Sequence, residues 1–458
     1  MIELLRRPYV LTTIGAWSSV FLAAFESLAV TTIMPAVTAD LNGRGLYALA
    51  FSATLAAGVI GVVAFGSWAD RRGPAVPLLA AISLFAAGLL LAGTATTMPT
   101  FAAGRFLQGL GAGGETVALY VLVAQVYPPA LHIKIFGAFA SAWVVPSMIG
   151  PFAAGLVADA LSWHWVFLGV VLLVAAATAL MLPALRGRDR APADRTPATP
   201  ADIRRIAQAT VVAVGVVALS SLAGLDRHVA WLIVPAALAI IVPALRRLVP
   251  TGTYRVRPGL PAAVTLCATA AGVFFGTEVY LPLLLHDRYG LPSWLSGITL
   301  TSGAVAWALA SAIQGRRGER TDPATAMRTG ALLLTGGAAV ELATALFQLH
   351  PVVAALGWFA AGAGMGTLYP RISELVLARS APDEAGFNTA AKSIADAVGA
   401  SASLAVAGLL FGVAPFVGPF TFATMLGVLT VIVASRVAPR EGSPVVPARR
   451  EGRSTAPV

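Results

Sequence analysis

The sequence predicts an all-α integral membrane protein with about fourteen membrane-spanning helices. Three observations carry this prediction. First, 57% of the 458 residues are hydrophobic and only 11% are charged, and the mean hydropathy is +0.81. A soluble domain carries about 25% charged residues, and even a compact globule needs a polar skin, so most of this chain's outer surface must face lipid. Second, apolar runs of the roughly 20 residues a helix needs to cross a bilayer recur along the whole chain. Third, the basic residues between those runs alternate between crowded and sparse loops.

The runs fall near 10–34, 46–66, 75–96, 99–123, 134–158 and 163–184, then 206–224 and 229–246, and finally 260–285, 295–315, 326–348, 352–377, 387–412 and 416–436. The first run is longer than a signal peptide's apolar region and is expected to remain as a spanning helix. Cytoplasmic loops carry the excess of Lys and Arg. With the N-terminus inside, the inner loops hold Arg71 and Arg72, Lys134, six arginines within 186–205, Arg246, Arg247, Arg255, Arg257, Arg316, Arg317, Arg320, Arg371 and Arg379. The outer loops hold little beyond Arg44, Arg227 and Arg288. Omitting any one span destroys this alternation. Both termini are therefore expected in the cytoplasm.

The net charge of +10 is spread over short inter-span clusters, which fits loops at an anionic membrane face rather than a nucleic-acid surface. The sole cysteine, Cys267, lies in an apolar run, so no intrachain disulfide is possible and a thiolate metal site is not expected. No loop has the phosphate-cradling pattern of an ATPase and no residues have metal-ligand spacing, so neither cofactor nor metal is expected. A membrane-embedded lipid-modifying enzyme would need a long polar catalytic loop, which is missing.

A weak internal repeat divides the chain. Gly66-Ser-Trp-Ala-Asp70-Arg71 after the second span is echoed by Gly315-Arg-Arg-Gly-Glu319-Arg320 after the tenth, and Gln108–Gly113 is echoed by 361–366. The expected organisation is a six-helix bundle over 1–185, a cytoplasmic linker with two inserted spans over 186–258, a second six-helix bundle over 259–438, and a disordered tail over 439–458. Parallel repeats of this kind build transporters that rock about a central site.

Four motifs are specific when taken together. The first span has Glu26 nine positions before Pro35 and ends in Asp40-Leu41. The loop Gly66–Gly73 reads GSWADRRG, followed by Pro74 and Ala75. Arg105-Phe-Leu-Gln108-Gly109-Leu-Gly111 lies in the fourth span, and Pro146-Ser-Met-Ile-Gly150-Pro151-Phe-Ala-Ala-Gly155 in the fifth. Across nearly the whole chain the sequence resembles the major facilitator superfamily, and within it the fourteen-span drug:proton antiporter group. It departs from the pattern in having glutamate rather than aspartate in the first span, and Pro74 and Ala75 where basic residues are usual. The resemblance implies a major-facilitator fold of two six-helix bundles plus two linker helices. It also implies a secondary transporter rather than an enzyme, set in a bacterial cytoplasmic membrane and acting as a monomer.

A carboxylate in the bilayer core costs at least about 2.5 kcal/mol and so needs a reason to be there. At 1.5 Å per residue, Glu26 lies roughly 13 Å and Arg105 roughly 9–12 Å inside the outer membrane face. The two residues are therefore expected at similar depth, with Glu26 as the proton carrier and Arg105 holding its protonation within reach of the gradient. Burial and a nearby guanidinium act on a carboxyl in opposite senses, and bound cargo can tip that balance. The competing reading is a static ion pair that fastens two helices. Glu278 ranks second as a proton site, with Glu115 also a candidate. Glu26, Gln108, Glu278 and Glu341 are expected to line the cargo cavity. A neutral acid donating a hydrogen bond within the bundle is the rival reading of Glu115, Glu278 and Glu341.

Conformational roles are expected for Asp70, Arg71 and Gly73, with Asp70 latching onto the helix start near Gly386–Asn388 as the resemblance implies. Pro146, Gly150, Pro151 and Gly155 should form a kinked, tightly packed seam. Arg371, Glu374, Lys392 and Asp396 should form a charged inner gate. The expected activity is proton-coupled export of small lipophilic or cationic compounds. The alternatives are a lipid transporter, or a symporter for a polar solute, of the same fold. The partners are then the cargo, protons and membrane lipids, with no nucleic acid.

Overall fold

A computed structural model describes residues 4, 9–185, 199–221, 235, 239–317, 322–380 and 385–437. The chain is helical almost throughout because lipid offers no partner for backbone N–H and C=O groups, and a helix satisfies them internally. In order the helices are α1 (Val10–Asp40), α2 (Tyr47–Arg72), α3 (Ala75–Gly93), α4 (Met98–Val126), α5 (Pro129–Ala160), α6 (His164–Leu185) and α7 (Pro200–Ser221). A segment α8, described over 239–246, follows. Then come α9 (Leu260–Glu278), α10 (Tyr280–Tyr289), α11 (Ser293–Arg317), α12 (Pro323–Phe347), α13 (Pro351–Ala378), α14 (Ala385–Val413) and α15 (Val417–Val437).

Among the described residues, 13 helices are long and apolar enough to cross a membrane, with α9 and α10 forming one such span. The expected span near 229–246 lies largely outside the described residues. Pro35, taken from sequence as the outer end of the first span, lies inside α1, which continues to Asp40. Glu26 therefore sits near the middle of α1. Proline removes one helical hydrogen bond, but α1 is long and packed enough to carry the defect.

Within the N-terminal set, α1 packs on α5 and α6, α4 on α2 and α3, and α3 on α6. Within the C-terminal set, α9 packs on α14 and α15, and α13 on α11 and α12. Two seams join the sets, α2 with α14 and α5 with α11. The inserted α7 lies against both α2 and α14. Ser52 and Ser220 share a buried 2.7 Å hydrogen bond between α2 and α7. Apolar residues of α2, α7 and α14, among them Val59, Val212, Val216, Ile394 and Val398, form one buried cluster. The insertion thus backs a seam between the two sets, a role that its length and hydropathy alone did not disclose.

Close helix approach depends on glycine. A Cβ on Gly109 would strike the carbonyl oxygen of Thr54, and one on Gly113 that of Gly58, so α4 is pressed onto α2 backbone to backbone. Lipid gives no hydrophobic drive for helices to associate, so such close packing supplies the attraction. Gly109→Val is expected to destabilise the fold by about 1–3 kcal/mol through overpacking. Gly137→Ala, where a Cβ meets nothing within 4 Å, should be neutral. Thermal unfolding of the purified variants in detergent, followed by size-exclusion fluorescence, distinguishes the two.

Candidate functional site

Arg105 projects from α4 and is 2% exposed; its guanidinium Nη1 contacts the Oε1 of Glu26 on α1, itself 3% exposed. The same Nη1 donates to Gln108 Oε1 at 2.6 Å, and Nε donates to the carbonyl oxygen of Ala50 on α2 at 3.3 Å. One arginine thus ties α1, α2 and α4 together. The positions 105 and 108 share a helix face because residues three and four apart are neighbours on a helix. Gln108 is fully buried, and its Nε2 has no hydrogen-bond partner.

Glu115 lies seven residues beyond Gln108 on the same face of α4 and is 3% exposed. It meets Ser19 of α1, while its Oε1 is without a partner. It lines a recess of about 200 Å³ with Val20 and Ala23 of α1, Ala112, Thr116, Leu119 and Tyr120 of α4, and Phe136, Phe139 and Trp143 of α5.

The C-terminal acids are dispersed. Glu278 is buried at the end of α9, immediately before the break at Val279, and has no hydrogen-bond partner among the described residues. Glu341 is fully buried on α12; both carboxyl oxygens lack partners, and a Cβ on Gly357 of α13 would lie 3.1 Å from its Oε1. Nothing brings Glu278 or Glu341 into contact with the Glu26–Arg105 pair.

The expected charged gate is divided into two sets. Arg371 donates to Glu374 at 2.9 Å and to Gln314 of α11 at 3.3 Å. Lys392 lies over the ring of Tyr369 at 5.0 Å, and Asp396 accepts from the Cys267 thiol at 3.6 Å. Asp70 is exposed and has no hydrogen-bond partner among the described residues, and Asn388 donates to Ser380 at 3.0 Å. Its neighbour Arg71 bonds Ser67 at 2.9 Å and pairs with Asp202 of α7 at 3.3 Å. Gly73 caps α2 with φ +80°, a conformation L side chains rarely adopt.

The span-five motif faces two ways. Gly150 faces Phe25 of α1, whose ring a Cβ at position 150 would meet at 3.4 Å, whereas the backbone at Pro151 and Gly155 meets α11 at Gly297 and at Ser293–Trp294. Pro146 is buried.

Contacts at the arginine-poor end of the helices were not foreseen. Arg44 pairs with Asp287 at 2.9 Å, Tyr47 Oη donates to the carbonyl oxygen of Val279 at 2.7 Å, and Asp159 accepts from the backbone N–H of Trp294 at 3.1 Å. Each joins the N-terminal set to the C-terminal set, and no sequence spacing pairs residues so far apart. Trp163 is 5% exposed and its indole N–H donates to Asp40 at 3.0 Å. A hydrogen bond to a carboxylate at the end of α1 makes burial of its indole favourable.

Two helix sets meeting along paired seams, with a charged pair buried between spans, define a polytopic transporter. A family model for the Major Facilitator Superfamily matches residues 16–386, and the chain belongs to that superfamily. A transporter of the superfamily from Mycobacterium tuberculosis strain H37Rv, described as uncharacterized, is 26% identical over 411 residues, 86% of this chain and 58% of its own length. A multidrug efflux pump of Staphylococcus aureus strain N315 is 28% identical over 163 residues, 36% of each chain. The chain spans between 26% and 58% of the length of the first curated relatives it matches. Crystal structures of peptide transporters share the fold: one, in complex with alafosfalin, has a TM-score of 0.68 at 15% identity and covers 94% of this chain and 96% of that one.

Removing one partner of a buried ion pair leaves an uncompensated charge and costs about 3–5 kcal/mol, whereas replacing both with apolar groups is often neutral. Arg105→Met should therefore lower stability sharply, and adding Glu26→Leu should restore most of the loss. Additive losses in the thermal stability of the two single variants and the double variant contradict this.

Proposed function

We propose that the chain is a proton-coupled antiporter that exports small lipophilic or cationic compounds by alternating access. The observation that carries this reading is the Glu26–Arg105 pair, held out of water at the junction of α1, α2 and α4. A buried carboxylate whose charge is balanced by a single guanidinium changes the local electrostatics whenever it gains or loses a proton. In this reading Glu26 carries the proton, while Arg105 and Gln108 set its surroundings. Glu278 and Glu115 are secondary proton sites, and Glu341 and Glu278 bound the cavity on the C-terminal side. Efflux pumps among the relatives support the direction of transport.

The contacts at the arginine-poor end close the outer side of the cavity in this conformation. Asp70, Arg71 and Gly73 would then engage the start of α14 when the inner side closes. Pro146, Gly150, Pro151 and Gly155 provide the sliding seam, and Arg371, Glu374, Lys392 and Asp396 rearrange at the inner end. The 1–185 and 259–438 bundles move as units, with the inserted helices of 186–258 against the α2–α14 seam. The protein works as a monomer in a bacterial cytoplasmic membrane with both termini inside.

In proteoliposomes with an imposed pH gradient, wild type should accumulate a fluorescent cationic dye, and Glu26→Gln should reduce that accumulation to the gradient-free level. Unchanged gradient-driven accumulation in Glu26→Gln overturns the antiport reading. Separately, Arg44→Cys with Asp287→Cys, joined through two mixed disulfides by a bifunctional methanethiosulfonate, should stop transport, and reducing those disulfides should restore it. Cys267 is fully buried and leaves this readout clean.

A further inference from the structure

The recess beside Glu115 combines features that a lipid-facing or purely packed surface lacks. Its carboxyl is almost wholly buried, yet one oxygen has no partner. An intramembrane acid is costly unless something pairs with it. The only described contact to that carboxyl is the Ser19 hydroxyl, and the nearest intramembrane arginine, Arg105, is already engaged by Glu26 and Gln108. Around the acid stand four aromatic rings. Tyr120 and Phe136 have centroids 5.0 Å apart, Phe136 and Phe139 meet edge-on at 6.3 Å, and Trp143 closes the α5 side. Tyr120 and Trp143 are each about half exposed, at 49% and 50%, so the recess is open on the side they guard.

Helix order says what it opens onto. α5 turns one flank to α11 and α2 turns one flank to α14, which places α1 and α4 between the two seams. α1 also touches α10 and α11, so the α1 wall of the recess borders the space between the helix sets. Glu115 reaches that α1 wall at Ser19 from the arginine-rich half of α4, two helical turns from Gln108, or roughly 10 Å at 1.5 Å per residue. A cation over aromatic faces gains about 0.5–2 kcal/mol for each well-placed ring, and an unpaired carboxylate supplies the counter-charge.

We infer that this recess is a binding site for organic monocations that carry an aromatic ring, with the cationic centre against Glu115 and the ring among Tyr120, Phe136 and Trp143. The volume of about 200 Å³ admits one such head group while a longer tail stays in the central space. The proposal names the cargo class of the exporter proposed above and rests on that reading for its biological role, but equilibrium binding does not require proton coupling.

The test is binding of radiolabelled benzyltrimethylammonium to the purified protein in detergent at one fixed pH, read alongside tryptophan fluorescence. Benzylsulfonate has a similar shape and opposite charge, and benzyl alcohol is neutral. The expected result is that the cation binds at least about tenfold more tightly than either control, and that Glu115→Gln weakens it by about tenfold or more. Glu115→Asp, which keeps the charge, should stay within about threefold of wild type by the same scale. Cation-induced quenching should vanish in Trp143→Phe. Equal affinity for the cation, the anion and the alcohol would mean an apolar or lipid-tail crevice and overturns the proposal. Full binding by Glu115→Gln, or quenching that survives in Trp143→Phe, overturns it as well. Failure here with gradient-driven transport intact removes this site only; binding without gradient-driven transport removes the antiport reading and leaves the site.

Discussion

Everything in this molecule is arranged around keeping one ion pair dry. Desolvating a carboxylate and a guanidinium costs several kcal/mol for each ion, and their mutual attraction repays that cost only when geometry and further hydrogen bonds are good. The fold meets that condition at Arg105, which reaches Glu26 on α1, Ala50 on α2 and Gln108 on its own helix. That placement requires α4 to lie against α2 at backbone distance, which the glycines at 109 and 113 permit. It also requires α1 to continue through Pro35, which puts Glu26 at mid-helix rather than near an end. Local sequence, helix packing and site electrostatics are thus a single constraint.

In the proposed cycle the pair couples a small chemical event to a larger motion. Two helix sets joined along two seams can act as a bistable object, and in the proposed cycle a change of charge at the pair within the N-terminal set biases one arrangement over the other. The salt bridge of Arg44 with Asp287 and the Tyr47–Val279 hydrogen bond hold the arginine-poor end together in the conformation described. The inserted α7 adds a feature that twelve spans alone would not have: it covers the α2–α14 seam and receives Arg71 through Asp202. Any rocking of the sets must carry α7 along or slide beneath it.

Much of this was legible in the sequence. Composition, run length and arginine alternation disclosed the spanning helices, because lipid imposes the same demand on every segment. The Glu26–Arg105 pairing was legible from depth, since two charged groups inside a membrane have few places to go. Other features were not. Arg44 and Asp287 are separated by most of the chain, and only the closed end of the assembled helices brings them together. The aromatic recess was not foreseen because Tyr120, Phe136 and Trp143 lie on two helices, and only packing of α5 beside α4 gathers them around Glu115. The Trp163–Asp40 contact is of the same kind, since Asp40 lies at the end of a different helix. Arg371 and Asp396, expected from sequence in one charged cluster, turn their side chains to different partners.

The central claim is that the carboxyl at position 26 exchanges a proton against cargo. It is tested most directly by following proton release from the purified protein in weakly buffered detergent solution when a saturating cationic substrate is added. The account predicts release from wild type and none from Glu26→Gln at matched occupancy. Undiminished release from Glu26→Gln would contradict it and assign the exchanged proton to another group.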